Sequence, residues 1–118
     1  MTEPLLTVSR HTHPAGPVVV TVSGELDHHT APRATEVLDG LGFAPGAHLV
    51  IDLTGLTYCD STGITVLVGA YHRTRSAEAS LSLAGLGPDL LRVIETVGLD
   101  QVFPLYPTTE DAVAALRH

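Results

Sequence analysis

The chain is poor in aromatic residues, which make up 4% of it, and it has no tryptophan. Its core must therefore rest on Val, Leu, Ile and Ala. Cations are scarce as well: six Lys plus Arg stand against thirteen Asp plus Glu, for a formal net charge of −7. A nucleic-acid backbone calls for a basic face, so this balance argues against such a partner. It argues equally against electrostatic attachment to anionic lipid. The single cysteine excludes an internal disulfide and suggests a reducing compartment. No apolar run approaches the ~18 residues of a membrane span, and no charged-then-apolar leader is read at the start. Internal repeats and low-complexity segments are also missing. The expectation is a soluble, cytoplasmic domain with no nucleic-acid or membrane partner.

What is present fits one domain over residues 1–118. Apolar residues make up 44% of the chain, so it is not a disordered tail. A chain of this length buries roughly two-thirds of its unfolded surface, enough for one core. Pro and Gly fall between periodic segments, as turn punctuation does. "LLTVS" (5–9) and "PVVVTVSGEL" (17–26) are β-branched and read as strands joined by a hairpin-like link. Thr30 then opens a helix, as a candidate N-cap with Pro32 in the first turn. Ala34, Val37, Leu38 and Leu41 recur at i, i+3, i+4 and i+7 along it.

"HLVIDL" is a short continuous apolar run, as expected of a strand covered on both faces. Ile64, Leu67, Val68 and Tyr71 repeat the helical spacing, and "SLSLAGL" alternates as a strand does. "PDLLRVIETVG" reads as a helix with Pro88 at its start, Gly98 just past its end, and Leu90, Val93, Ile94 and Val97 as a buried stripe. "VFPLY" reads as a short strand whose proline suggests a sheet edge. The last helix has Thr108 as cap, Glu110 and Asp111 in its first turn and Arg117 in its last, matching the helix dipole. After an opening strand pair, strands and helices alternate through short links. That predicts an α/β domain with a mixed, largely parallel sheet of about five strands packed with about four helices.

Sites in such sheets gather where strand ends meet helix starts. "CDSTG", residues 59–63, lies at one such junction, between "HLVIDLTGLTY" and "ITVLVGAYHR". The first N–H groups of a helix lack intrahelical partners and carry partial positive charge. Asp60 or Ser61 can cap them, and local capping alone would account for both residues. The same place suits a phosphate, and Gly63 removes a side chain from the approach. Phosphorylating Ser61 would add about −1.5 to −2 charges and three acceptor oxygens. The helix could absorb that charge, so a docked partner would feel it most, with Asp60 opposing it. The helix that follows is apolar on nearly every face. Burial accounts for Ile64, Leu67 and Val68, whereas Thr65, Val66, Gly69 and His72 are candidates for exposure to a partner.

"GELDHHT" (Gly24–Thr30) and "LVIDLTGLTYCDSTGITVLV" (Leu49–Val68), at this spacing, resemble the STAS domain of bacterial anti-anti-sigma factors, the anti-sigma factor antagonists. The resemblance extends over nearly the whole chain, through "GLGPDLLRVIETVGLDQVFPLYPTTEDAVAAL". It implies partner switching. The unphosphorylated antagonist binds an anti-sigma factor with serine kinase activity and so frees a sigma factor. Phosphorylation releases the antagonist, and a metal-dependent serine phosphatase restores it. Carried over position by position, Ser61 matches the phosphoacceptor, Asp60 the acidic residue beside it, Gly63 the motif glycine, and Asp27 an acidic residue near the same surface. His28 and Thr62 are expected at the partner-binding face, Thr62 as a second candidate hydroxyl where some relatives have Ser. Tyr58 and Cys59 stand where Phe and Met often occur. The resemblance implies no enzymatic activity and no cofactor. A STAS scaffold that assembles with similar domains without switching is the alternative.

Other chemistry is weaker. His11, His13, His28 and His29 form two close pairs that could in principle ligate zinc, but no suitably spaced cysteine joins them. A hydrolase reading of Ser61 lacks the glycine two residues earlier that a nucleophile elbow needs. Apolar neighbours point to Cys59 as a buried, inert thiol. "GLGPD" (85–89) turns into a helix but lacks the lysine and spacing of a P-loop.

Overall fold

The computed structural model describes residues 5–116. In chain order the elements are β1 (Leu6–Thr12), β2 (Val18–Leu26), α1 (Ala31–Asp39), β3 (His48–Asp52), β4 (Leu56–Cys59), α2 (Ser61–Ser76), β5 (Ser80–Ala84), α3 (Pro88–Thr96), a single 3₁₀ turn (Leu99–Gln101), β6 (Leu105–Tyr106) and α4 (Thr109–Ala115). They form one mixed sheet in the order β1-β2-β3-β5-β6, with β4 paired to β2. Only β1 and β2 are antiparallel; the remaining pairs are parallel. The α/β class and the largely parallel sheet thus match the expectation.

The sheet has six strands where about five were expected. The apolar run from His48 to Tyr58 hides a break. The Asp52 carboxylate accepts the Thr54 amide at 2.9 Å and the Thr54 hydroxyl at 2.6 Å, which turns the chain. The turn ends β3 and lets β4 run beside β2 further along, with Leu26 opposite Cys59. The first strand also reaches Thr12, further than "LLTVS" suggested, because Ser9, Arg10, His11 and Thr12 find partners from Thr21 back to Val18.

Two cores flank the sheet. On one face Val20, Val22, Leu49, Ile51, Leu81 and Leu83 pack under α1 and α2. On the other, Val19, Val50 and Ala84 pack under Ala112 of α4. The α1 face was legible: Ala34, Leu38 and Leu41 are buried, and Val37 is half-buried. Thr108 caps α4 by accepting the Asp111 amide at 3.0 Å, with Glu110 and Asp111 in the first turn. Arg117 lies outside the described residues. The strand expected over "VFPLY" narrows to Leu105–Tyr106, so Pro104 stands just before β6, which is the far edge of the sheet among the described strands.

Two helices depart from their expected faces. In α2 the buried positions are Gly63, Val66, Leu67, Ala70 and Thr74, while Ile64, Val68 and Tyr71 are half-buried. The inward face is thus turned toward Val66, which had been a candidate for exposure. A helix apolar all round has no stripe to set its rotation, and the neighbours choose. In α3 the expected stripe splits. Ile94 is buried and Leu90 half-buried, but Val93 and Val97 are 43% and 57% exposed. This nine-residue helix turns Ile94 inward, with Leu90 and Leu91 half-buried a turn before it. Gly98, in the left-handed conformation, ends it as the sequence indicated.

Candidate functional site

Parallel pairing of β2 and β4 builds the site. Because Leu26 stands opposite Cys59, the next residues, Asp27 and Asp60, emerge side by side at the strand ends. The Asp60 amide donates to the Leu26 carbonyl at 3.3 Å and ties the two loops together. Asp60 is extended and caps α2, its carboxylate accepting the Gly63 amide at 3.1 Å. Of the two candidate caps, Asp60 therefore takes the role, and Ser61 becomes the first helical residue. Ser61 is exposed, its hydroxyl at the mouth of the helix dipole. Thr65, exposed one turn on, donates its hydroxyl to the Ser61 carbonyl at 3.0 Å.

Gly63 works differently from the sequence expectation. It is buried, and a Cβ there would lie 2.5 Å from the Cys59 Sγ and 3.0 Å from Leu26. The absent side chain lets α2 approach β2 and β4, rather than opening a path for an anion. The Cys59 thiol is pushed up to about 11 by burial and, secondarily, by the Asp60 carboxylate. It is a poor nucleophile for the same reasons.

The Asp27 loop is fastened from within. Asp27 Oδ1 accepts the His29 amide at 2.9 Å and the Thr30 amide at 3.0 Å. The Thr30 hydroxyl accepts the Asp27 amide at 2.9 Å and donates to the Glu25 carbonyl at 2.7 Å. Thr30 occupies the N-cap position of α1, yet its side chain caps no amide of that helix. It clasps the loop to the end of β2 instead, a role that local spacing could not reveal. The amide of Thr30, opposed by burial and helped by the amide of His29, holds the Asp27 carboxyl below its ordinary value of 3.8. Asp27 is therefore a fixed anion at neutral pH.

His28 and His29 are exposed and stack with ring centroids 4.0 Å apart. His11 and His13 lie at the opposite end of β2, where His13 contacts Glu110 at 3.0 Å, so the two histidine pairs do not meet. Thr62 is half-buried and faces an open groove of about 770 Å³ between α1 and α2, shared with His28, Pro32, Thr35 and Thr65. Tyr58, 52% exposed, borders the site from β4. The result is an exposed hydroxyl at the start of α2, next in sequence to Asp60, with the Asp27 loop tied alongside by the Asp60–Leu26 bond. That arrangement makes this end of the sheet the candidate site of a small α/β domain.

The comparisons agree with that class. The STAS domain family matches residues 8–112, and the chain belongs to that family. Its sequence is similar to the anti-sigma-B factor antagonist of Listeria monocytogenes, 40% identical over 86 residues, covering 73% of this chain and 75% of that protein. It is also similar to the anti-sigma-B factor antagonist of Bacillus subtilis, 33% identical over 96 residues, covering 81% of this chain and 87% of that one. A crystal structure of an anti-sigma factor antagonist from Mycobacterium paratuberculosis superposes with a TM-score of 0.86 at 34% identity, covering 100% of both chains.

Proposed function

We propose that this domain is an anti-sigma factor antagonist switched by phosphorylation of Ser61. In the unphosphorylated state it binds an anti-sigma factor that is also a serine kinase, and a sigma factor is freed. Asp27, His28, Asp60 and Thr62 form the docking rim, and Gly63 supports it from beneath by allowing α2 to seat closely. The kinase transfers phosphate to the Ser61 hydroxyl, the complex parts, and a metal-dependent serine phosphatase resets the domain. The domain is a substrate in this cycle and not a catalyst, and the cycle runs in the cytoplasm.

The observation that carries this reading is the exposure of Ser61 at the first position of α2. Magnitudes explain why a phosphate there would act on the interface and spare the fold. An anion at a helix N-terminus gains about 0.3–1 kcal/mol. Like charges brought together across an interface cost several kcal/mol, and Asp60 beside Ser61 and Asp27 on the adjoining loop already make this end of the sheet acidic. The names of the similar antagonists from Listeria monocytogenes and Bacillus subtilis support the partner class.

The test is to recover the co-purifying ATPase-fold kinase, add ATP and map phosphate by mass spectrometry. Phosphate on Ser61, its loss in Ser61→Ala, and dissociation of the complex by Ser61→Asp are the expected results. A complex indifferent to both ATP and Ser61→Asp would overturn the switch in favour of a non-switching scaffold.

A further inference from the structure

Away from Ser61, one edge of the sheet is open among the described residues. Among the described strands, β1 pairs with β2 alone. The Glu25 amide donates to the Leu5 carbonyl at 2.7 Å, and the His13 amide to the Pro17 carbonyl at 2.8 Å. These two bonds fix the alternation of the ladder. Odd-numbered residues exchange bonds with β2, so Leu6, Val8, Arg10 and Thr12 turn their N–H and C=O groups outward.

The same residues face α1. Val8 and Arg10 stand opposite Val22 and Val20, which belong to the core beneath the helices. On α1, Arg33, Glu36, Val37 and Gly40 share the facing side at i, i+3, i+4 and i+7. Between strand and helix runs a groove of about 510 Å³ lined by these six residues. Val8 and Val37 are half-buried, and Arg10 and Arg33 are exposed. Among the described residues neither arginine has a carboxylate within 4.0 Å; the carboxylates so engaged are Asp39, by Arg73, and Glu110, by His13. Two of the six basic residues of a chain of net charge −7 thus line one groove, with Glu36 its only acid.

Charged side chains on an edge strand guard it against self-pairing. Pairing β1 with β1 of a second copy would crowd the guanidinium groups of both. The same charges favour an edge-binding chain of opposite sign. We propose that the β1 edge and the β1–α1 groove form a second docking surface, for an extended acidic segment of another protein. The segment adds as a strand along β1 and seats its carboxylates on Arg10 and Arg33. This surface is independent of Ser61 phosphorylation, so the two readings stand or fall separately.

The test uses the full chain, ¹⁵N-labelled, titrated with a blocked peptide of alternating Glu and Val and with its Gln-for-Glu counterpart. The amides of Val8, Arg10 and Thr12 should shift and gain protection from exchange, more strongly with the Glu peptide. The Arg10→Glu/Arg33→Glu double variant, which changes exposed side chains only, should weaken binding about tenfold. Val8→Pro, which removes an outward donor and spares the bonds to β2, should abolish the protection. The proposal is overturned by the absence of any shift, by shifts away from β1, or by binding indifferent to the arginine reversal. It is also overturned if sedimentation shows a dimer that Val8→Pro dissolves, because the occupant of the edge would then be a second copy.

Discussion

Gly63→Ala probes the joint that holds the candidate phosphoacceptor in place. The new methyl would lie 2.5 Å from the Cys59 Sγ and 3.0 Å from both the Leu26 side chain and its carbonyl. Leu26 does not move freely: it is 1% exposed, and its carbonyl accepts the Asp60 amide. Overpacking a tight core costs about 1–3 kcal/mol. Replacing a helical glycine with alanine returns roughly 0.5–1 kcal/mol. The overpacking term is the larger, so the net should be a destabilisation of about 1–2 kcal/mol, a fall in Tm of roughly 4–10 °C for a domain of this size. Thermal and urea unfolding read this directly. The contact predicts its own partial rescue. In the Cys59→Ala/Gly63→Ala double variant the sulfur is gone, and the two substitutions should couple favourably by about 1 kcal/mol, with the Leu26 contact left over. A neutral or stabilising Gly63→Ala, or additive effects in the pair, would refute the close-approach role assigned to this glycine.

Three further outcomes follow from the same geometry. Asp60→Ala should cost about 1 kcal/mol in urea unfolding through loss of the α2 cap, while Asp60→Asn, which keeps an acceptor for the Gly63 amide, should cost much less. Cys59, with its thiol pushed up to about 11 from 9.0, should alkylate about a hundredfold more slowly at pH 8 in the folded chain than in denaturant. For Asp27 the folded state favours the anion, since its pKa lies below the ordinary 3.8. Its stabilising contribution is therefore complete above that value and is lost as pH falls through the lower folded one. Unfolding curves measured across acidic pH should show this loss, and Asp27→Asn should flatten it.

Much of this domain is written locally. The spacing of Ala34, Val37, Leu38 and Leu41, the Thr108 cap and the Gly98 stop each involve residues within one or two turns of each other. Their physics is settled before any distant partner arrives. Ser61 at a helix start is of the same kind, because capping and the dipole belong to a single helix end. Other features needed the tertiary structure. An apolar α2 could have buried either Ile64 or Val66, and the sheet beneath it decided. A valine pair on α3 fitted a buried stripe by spacing, yet that short helix seats Ile94 and leaves both valines exposed. Asp27 and Asp60 are thirty-three positions apart in the chain, and only the register of Leu26 on Cys59 makes them neighbours. Likewise Gly63 owes its identity to a sulfur and a leucine brought in by two strands. Periodicity reports which side chains share a face. It is silent on what that face meets, and close packing at the meeting point is what fixes the site.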